Sequence, residues 1–321
     1  MLRLWLCLSL FLVSNSTMAK TVYAPEELSA YKGSQQLAGN ISTVGSQTLA
    51  LLMAEWASLF KSFHPAVNVQ IQTSGSASAV TALLEATAQI GTMSRAFNEQ
   101  EKSQFVNKYG YLPHEIKIGI DIIALFVNQD NPLPSIKLAA VDAIYSQARR
   151  CNTENPIIRW GELGLGGSWQ NRRIQLFGRN STSGTYNFFR KKLLCGGDFR
   201  SNVNALLSSA SVVQAVSSSL NAIGYAGIAY QAAGAKMLPL NIDNNIVSAS
   251  VENVLSGQYP LSRYLYVYIN KKPNQPLPRK EAEFLKLMLS KQGQEQVAAK
   301  GFIPLSKTVI QNQLQSLGLS Y

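Results

Sequence analysis

Two long extended runs limit the folds open to this chain. The first covers residues 116–128 and the second covers residues 259–270, and along both of them apolar side chains recur at every second position. A period of two is typical of β-strands. The two runs bracket residues 129–258, so we interpret them as two strands that cross between two lobes. Lobe 1 would then combine residues 20–122 with residues 266–321, and lobe 2 would be residues 123–265.

Helical and extended patterns alternate along the rest of the chain. Apolar residues recur at steps of three and four between positions 49 and 63, which predicts an amphipathic helix before Pro65. Residues 67–72 alternate between apolar and polar side chains, which predicts a strand, and residues 281–299 have a helical pattern. This alternation is typical of the α/β class.

A polar turn at residues 179–185, Arg-Asn-Ser-Thr-Ser-Gly-Thr, follows a predicted strand at 174–177 and opens a predicted helix. The first N–H groups of a helix have no carbonyl partners and favour an anion. The hydroxyls add donors, and the guanidinium of Arg179 matches a tetrahedral oxyanion. The alternative is an ordinary N-capped helix with a surface arginine.

Three further polar turns follow a predicted strand or open a helix: Gly45–Thr48, Ser74–Ser78 and Ser94–Arg95. In open α/β sheets, ligands bind outside the carboxyl ends of the strands, near helix starts. Each turn alone is explained by helix capping, which stabilises a helix by about 1 kcal/mol without any ligand. Together, with Arg179 facing them from the other lobe, they favour convergence on one buried anion.

The N-terminus has the features of a secretory signal. A basic start at residues 1–3 precedes an apolar run at 4–13, and small residues at 17 and 19 predict cleavage near Ala19. The apolar run is too short to span a bilayer. The mature chain keeps Cys151 and Cys195, and an even pair in a secreted protein predicts one disulfide. Two free buried thiols are the alternative.

Charge and composition exclude several functions. The net charge of +11 suits attraction of small anions, but the basic residues occur as scattered pairs without interleaved aromatic residues, so we expect no nucleic-acid partner. His64 and His114 lack the spacing of metal ligands, and no metal or other cofactor is expected. No serine stands in the sequence setting of a nucleophile, so we do not expect an enzyme.

The four turns also resemble a known family, the periplasmic phosphate-binding proteins of bacterial phosphate ABC transporters, or PstS-like proteins. The resemblance extends over nearly the whole mature chain and rests on Gly45-Ser46-x-Thr48, Gly75-Ser76, Gly91-Thr92-Met93-Ser94-Arg95, Arg179-x-x-x-Ser183-Gly184-Thr185-x-x-Phe188-Phe189, Asn221–Tyr225 and Gly301–Pro304.

The resemblance implies a type II periplasmic binding protein fold, with two lobes that close on dehydrated phosphate. It implies a periplasmic monomer that delivers phosphate to an ABC permease in the inner membrane. It also implies a set of phosphate ligands: Thr48, Leu49 (through its backbone), Ser76, Ser94, Arg179, Ser183, Gly184 and Thr185.

The chain departs from the family at Ser94, where the better-known members carry an aspartate. In those members the aspartate accepts the proton of hydrogen phosphate and repels sulfate. A serine hydroxyl can donate or accept, so it suits phosphate but does not exclude sulfate by charge. The role of Arg95 is left open, and a surface or interlobe arginine is one interpretation. Alternatives are a receptor for sulfate or a phosphonate, a secreted phosphatase-like relative, and a surface adhesion protein.

Overall fold

The computed structural model describes residues 27–33, 36–151 and 155–320. The predicted secretory signal and its cleavage site lie outside the described residues. Strand and helix alternate in the first part of the chain, in the order β1 (Ala38–Gly45), α1 (Ala50–Phe63), β2 (Ala66–Thr73), α2 (Ser76–Leu84), β3 (Ile90–Met93), α3 (Glu99–Tyr109) and β4 (His114–Asn128).

Shorter strands and helices make up the middle of the chain. They are β5 (Ile136–Lys137), α4 (Leu138–Tyr145), β6 (Gln175–Arg179), α5 (Gly184–Leu193), β7 (Asn204–Leu206), α6 (Ser209–Ser217), β8 (Ala222–Gly227), β9 (Ala235–Leu238), β10 (Leu240–Ile242), β11 (Asn245–Val247) and α7 (Val251–Leu255). The chain then returns through β12 (Ser262–Ile269) and continues in α8 (Arg279–Leu289), α9 (Lys291–Ala299) and α10 (Lys307–Leu317).

Strand β4 connects the two lobes. The main sheet has nine strands in the order β2-β1-β3-β12-β4-β8-β6-β7, with β9 also paired to β4. The first half of β4 pairs with β12, and the second half, from Ile123 to Asn128, pairs with β8 and β9. This confirms the predicted α/β fold with two lobes and two crossing strands. The residue boundaries given above for the lobes stay a prediction.

The second crossing strand, β12, lies antiparallel to both β3 and β4, and its pairing with β4 shifts register between Leu265 and Tyr266. The extended run predicted at 259–270 is therefore confirmed in its central part. Just before β12, the Tyr259 hydroxyl donates to the Ile123 carbonyl oxygen of β4 at 2.8 Å. Strand β12 is thus joined along its whole length to the first half of β4.

Each lobe has its own apolar cluster. In lobe 1 the predicted apolar face of α1 is buried, and the Trp56 indole donates to the Gly293 carbonyl oxygen at 2.9 Å. In lobe 2 Phe189 of α5 stacks on Tyr225 of β8, with ring centroids 3.9 Å apart. The Tyr225 hydroxyl in turn accepts a hydrogen bond from the Arg179 amide at 3.1 Å. Core packing in lobe 2 therefore fixes the backbone at the end of β6, where the polar turn begins.

The predicted disulfide between Cys151 and Cys195 is present, with the two Cα atoms 5.4 Å apart. It joins the segment after α4 to the end of α5, and its ends are separated by 44 residues. In the chain-entropy account, a loop of that length stabilises the fold by about 4 kcal/mol. The bridge thus anchors the helix that has Ser183 as its N-cap and Gly184 and Thr185 in its first turn.

Candidate anion-binding site between the lobes

The first polar turn follows β1 and lies over the end of β3. Gly45 has a φ of +147°, and a Cβ there would lie 2.0 Å from the Thr92 carbonyl oxygen, so only glycine fits. The Ser46 amide donates to that same carbonyl at 2.8 Å. Because the backbone is held there, the buried hydroxyl of Thr48 is presented to the cleft. The Leu49 amide, predicted to bind the ligand, donates instead to the Ser46 carbonyl oxygen at 3.1 Å.

The second and third turns are joined through their serine side chains. The Ser94 amide donates to the Ser76 hydroxyl at 3.1 Å, and the two hydroxyl oxygens lie 3.3 Å apart. The Ser46 hydroxyl donates to the Ser94 hydroxyl at 3.1 Å. All three side chains are buried. Three turns of lobe 1 therefore bring their hydroxyls to one point, and Ser46 is a member that lies outside the predicted ligand set.

The turn of lobe 2 faces that point directly. The Ser183 hydroxyl caps α5 by accepting from the Thr185 amide at 3.1 Å. A Cβ on Gly184 would lie 2.4 Å from the Ser94 hydroxyl and 2.6 Å from the Ser76 hydroxyl. The hydroxyls of Thr185 and Thr48 lie 3.4 Å apart across the cleft. The structure therefore brings together the predicted hydroxyl groups from both lobes.

Arg179 is buried at the end of β6 and bonded to both lobes. Its guanidinium donates to the Ser209 hydroxyl at 3.1 Å, to the Leu207 carbonyl at 2.7 Å and to the Gln47 side-chain oxygen of lobe 1 at 2.7 Å. Its Nε has no hydrogen-bonding partner among the described residues. Burial, with Arg263 nearby, lowers the pKa of Arg179 to about 10. The side chain therefore stays positively charged at neutral pH.

The crossing strands carry a buried ion pair next to the cleft. This pair was not predicted from the sequence. Asp121 of β4 and Arg263 of β12 are direct cross-strand partners and bond at 2.8 Å. Arg263 also donates to the Thr185 hydroxyl at 2.7 Å, which ties the pair to the predicted site. Asp121 is the only charged residue between positions 118 and 128. A single charged residue in an otherwise apolar strand is the sequence signal that could have indicated a buried functional residue here.

Burial shifts both pKa values of this pair toward the neutral forms. It raises the pKa of Asp121, with Arg263 opposing the change, and it lowers the pKa of Arg263, with Asp121 opposing the change. Asp121 Oδ1 and Arg263 Nη1 have no hydrogen-bonding partner among the described residues. A buried polar group left in that condition costs about 1–3 kcal/mol, and more when it is charged. Buried groups of this kind require an explanation, and beside the cleft a bound anion would supply one.

Tyr230 also links the two lobes, and it too was missed. Its hydroxyl contacts the carbonyl oxygens of Thr48 at 3.0 Å and Gln47 at 3.3 Å. Burial raises its pKa to about 12, so it remains a neutral donor. With the bond between Arg179 and Gln47, this contact holds the first turn against lobe 2. These pairs lie more than 130 residues apart in the chain, so no local pattern could reveal them.

Arg95 lies outside this cluster of hydroxyls. Its guanidinium forms two hydrogen bonds of 2.6 Å with Glu101, the residue that completes the capping box of α3. It lines an interlobe groove of about 520 Å³ whose cationic side chains are Arg95, Arg190, Lys191, Lys192 and Arg263. A groove lined mainly by one sign of charge raises the local concentration of small anions.

Within residues 27–33, 36–151 and 155–320, no group of three or more His, Cys, Asp and Glu side chains could hold a metal ion. None of the helices in that part of the chain is long and apolar enough to span a membrane. What the cleft offers is a set of hydroxyls, a helix N-terminus and two buried guanidiniums. This combination suits a compact tetrahedral oxyanion.

Comparison with known proteins gives the family. Residues 30–292 match the family described as a PBP superfamily domain. The chain is 48 % identical over 294 residues to the phosphate-binding protein PstS of Pseudomonas aeruginosa, covering 91 % of each chain. A Clostridium perfringens structure, described as a phosphate ABC transporter substrate-binding protein with bound phosphate, is 27 % identical with a TM-score of 0.71; the match covers 84 % of this chain and all of that one.

A Vibrio cholerae phosphate transport receptor shares the fold, with a TM-score of 0.65 at 21 % identity over 83 % of this chain and all of the receptor. These similarities agree with the element order, the crossing strands and the convergent turns described above. The chain therefore belongs to the PstS family of phosphate-binding proteins, within the PBP superfamily.

Proposed function

We propose that this chain captures inorganic phosphate in the cleft between its lobes and delivers it to an ABC permease. The convergence of buried hydroxyls and guanidiniums from both lobes on one point carries the proposal. The proposed ligand groups are those predicted from the sequence: Thr48, Leu49, Ser76, Ser94, Arg179, Ser183, Gly184 and Thr185. Because the family consists of substrate-binding proteins, we assign the chain no catalytic step.

The contribution of each group follows from its contacts. The buried Nε of Arg179 has no partner in the described part of the chain, so it can donate a charge-assisted hydrogen bond to an anion while the guanidinium keeps its existing partners. The hydroxyls of Thr48 and Thr185 contact only weakly across the cleft, at 3.4 Å, and can turn toward a shared oxygen. The Leu49 amide contributes only if the bond to Ser46 is exchanged for one to the ligand.

Calorimetric titration of phosphate into protein stripped of phosphate by unfolding and dialysis tests this site. We expect Arg179→Ala and the isosteric Thr48→Val each to weaken phosphate binding by tenfold or more, which is about 1.4 kcal/mol. The matched control is Arg173→Ala, because Arg173 is exposed and lies just before the opposite end of strand β6. Unchanged affinity in both cleft variants would contradict the site assignment.

Sulfate or a phosphonate is the second candidate ligand, because the hydroxyl of Ser94 stands where the better-known relatives carry an aspartate. A neutral hydroxyl beside the cleft does not repel a fully deprotonated anion by charge. Competition titration, in which sulfate or methylphosphonate is added at a fixed phosphate concentration, distinguishes the candidates. Stronger binding of either competitor than of phosphate would reassign the ligand.

We further propose that the chain acts in the periplasm as a monomer, after cleavage near Ala19, and that it binds no nucleic acid. The permease would lie in the inner membrane and would meet the closed form, in which lobe 1 and lobe 2 are linked by Gln47 and Tyr230. N-terminal sequencing of the periplasmic protein and light scattering of the purified chain test the first two statements. A mature N-terminus far from residue 20, or a stable dimer, would refute them.

A further inference from the structure

We propose that Asp121 is the residue that accepts a hydrogen bond from the protonated oxygen of the bound anion and so selects phosphate over sulfate. This inference rests on the proposed function and names a specificity-determining residue outside the predicted ligand set. Asp121 lies on the crossing strand β4, not in any of the polar turns. It is completely buried.

Asp121 is connected to the hydroxyl cluster by one intervening side chain. Arg263 Nη2 donates both to Asp121 Oδ2 at 2.8 Å and to the Thr185 hydroxyl at 2.7 Å. The Thr185 hydroxyl lies 3.4 Å from that of Thr48. The carboxylate therefore lies beside the point where the two lobes bring their hydroxyls together.

One oxygen of the carboxylate is already used, and the other is available. Oδ2 accepts twice from Arg263, at 2.8 and 3.2 Å, while Oδ1 has no partner among the described residues. Gly227 leaves Oδ1 open on one side, because a Cβ at that position would lie 2.8 Å from it. The backbone of Gly227 has a φ of −65°, which any residue can adopt. Glycine at position 227 is therefore explained by the space that it leaves next to Oδ1, and not by a backbone conformation that needs glycine.

The unsatisfied groups of the cleft match one protonation state of a tetrahedral anion. Among the residues that the structure describes, Arg179 Nε and Arg263 Nη1 are buried donors without partners, and Asp121 Oδ1 is a buried acceptor without a partner. Hydrogen phosphate has oxygens that accept and one O–H that donates, so it can satisfy all three. Sulfate has acceptors only, and its oxygen would face the carboxylate with no proton between them. The expected difference between phosphate and sulfate affinity is large, because no water can be inserted between the buried carboxylate and a sulfate oxygen to relieve their repulsion.

Ser94 cannot perform the same discrimination. Its hydroxyl receives a hydrogen bond from Ser46 at 3.1 Å and lies 3.3 Å from the Ser76 hydroxyl, and it carries no charge. A hydroxyl can rotate its proton toward a sulfate oxygen. The carboxyl of Asp121 has no proton to offer in its ionised form, which the ion pair with Arg263 favours against the effect of burial. The discrimination against sulfate that Ser94 does not provide would therefore come from Asp121 on the crossing strand β4.

Competition titrations with phosphate, arsenate and sulfate test the proposal in the isosteric variant Asp121→Asn. Asparagine keeps the shape of the side chain and places an N–H donor where the acceptor was. We expect the ratio of phosphate affinity to sulfate affinity to fall at least tenfold, with arsenate following phosphate because it also carries a proton at neutral pH. Gly227→Ala, which covers Oδ1 but keeps the carboxylate, should lower the same ratio.

The control variants separate this role from a general effect of charge. Asp198→Asn removes an exposed carboxylate that is paired with Arg190, so it changes the net charge equally and should leave the ratio within twofold. If Asp121→Asn keeps the wild-type ratio while Ser94→Ala lowers it, the acceptor is Ser94 and the proposal is overturned. A wild-type protein that binds phosphate and sulfate equally would overturn it too, while leaving phosphate capture intact. Absence of any phosphate binding would overturn both proposals.

Discussion

Replacing Gly184 by alanine would place one methyl group between the two lobes. Gly184 is the first residue of α5, and its backbone does not need glycine, because its φ lies outside the left-handed region. Alanine also favours helix over glycine by up to about 1 kcal/mol. Lobe 2 alone should therefore tolerate the substitution and fold normally.

The closed cleft should not tolerate it. The new carbon would lie 2.4 Å from the Ser94 hydroxyl and 2.6 Å from the Ser76 hydroxyl, well inside ordinary contact distance. The lobes must then stay about 1 Å further apart, or the two serines must move out of their hydrogen bonds. Overpacking of this kind costs about 1–3 kcal/mol. Since the cost arises only on closure, we expect phosphate affinity to fall about 5- to 150-fold.

Calorimetry on the phosphate-free protein measures the affinity, and thermal unfolding without phosphate checks that the fold is intact. Gly166→Ala is the matched control, because a Cβ there would have no atom of the described residues within 4 Å, and the φ of Gly166 is −97°. An affinity of Gly184→Ala within twofold of wild type, with normal thermal stability, would refute the conclusion that this helix start closes against the serines of lobe 1.

Two further predictions concern stability. Replacing Cys151 and Cys195 together by serine should lower the free energy of unfolding by about 2–4 kcal/mol in urea titrations, and an unchanged midpoint would contradict the bracing role of the bridge. His64 is buried with its Nε2 against the Tyr31 hydroxyl at 2.7 Å, and burial lowers its pKa below the usual 6.5. Below pH 6.5 the unfolded chain takes up a proton that the folded His64 resists, so stability should decrease between pH 7.5 and 5.5. His64→Gln should reduce that decrease and leave the part due to His114, whose pKa is also lowered by burial; an identical pH profile in the variant would exclude His64 as a source.

Features encoded locally were predictable from the sequence. The alternation at 116–128 gave β4, and the apolar spacing before Pro65 gave the buried face of α1. The polar turns were recognisable because helix capping and anion binding use the same hydroxyl and glycine residues. Their convergence at Thr48 and Thr185 followed from a general property of α/β sheets, in which helix starts gather at the carboxyl edge.

Features that depend on pairing across the fold were not predictable. The alternation in β4 and β12 shows which side chains share a face, but it does not say which face meets the cleft, so Asp121 and Arg263 were not identified. The partner of Arg95 has a local sequence signal, because Glu101 belongs to the capping box Asn98-x-x-Glu101. The hydrogen bond of the Leu49 amide depends on a single turn of 3-10 helix at Gln47–Leu49. The spacing of apolar residues does not reveal so short an element.

The register shift between Leu265 and Tyr266 has a consequence for how the molecule moves. A bulge lets a strand bend and twist locally while the pairs on either side stay bonded. Separation of the lobes would then twist the two-stranded ribbon formed by β4 and β12, and it would not need flexible single-chain linkers. Because the backbones of β4 and β12 stay paired, this connection would limit the orientations that one lobe can take relative to the other.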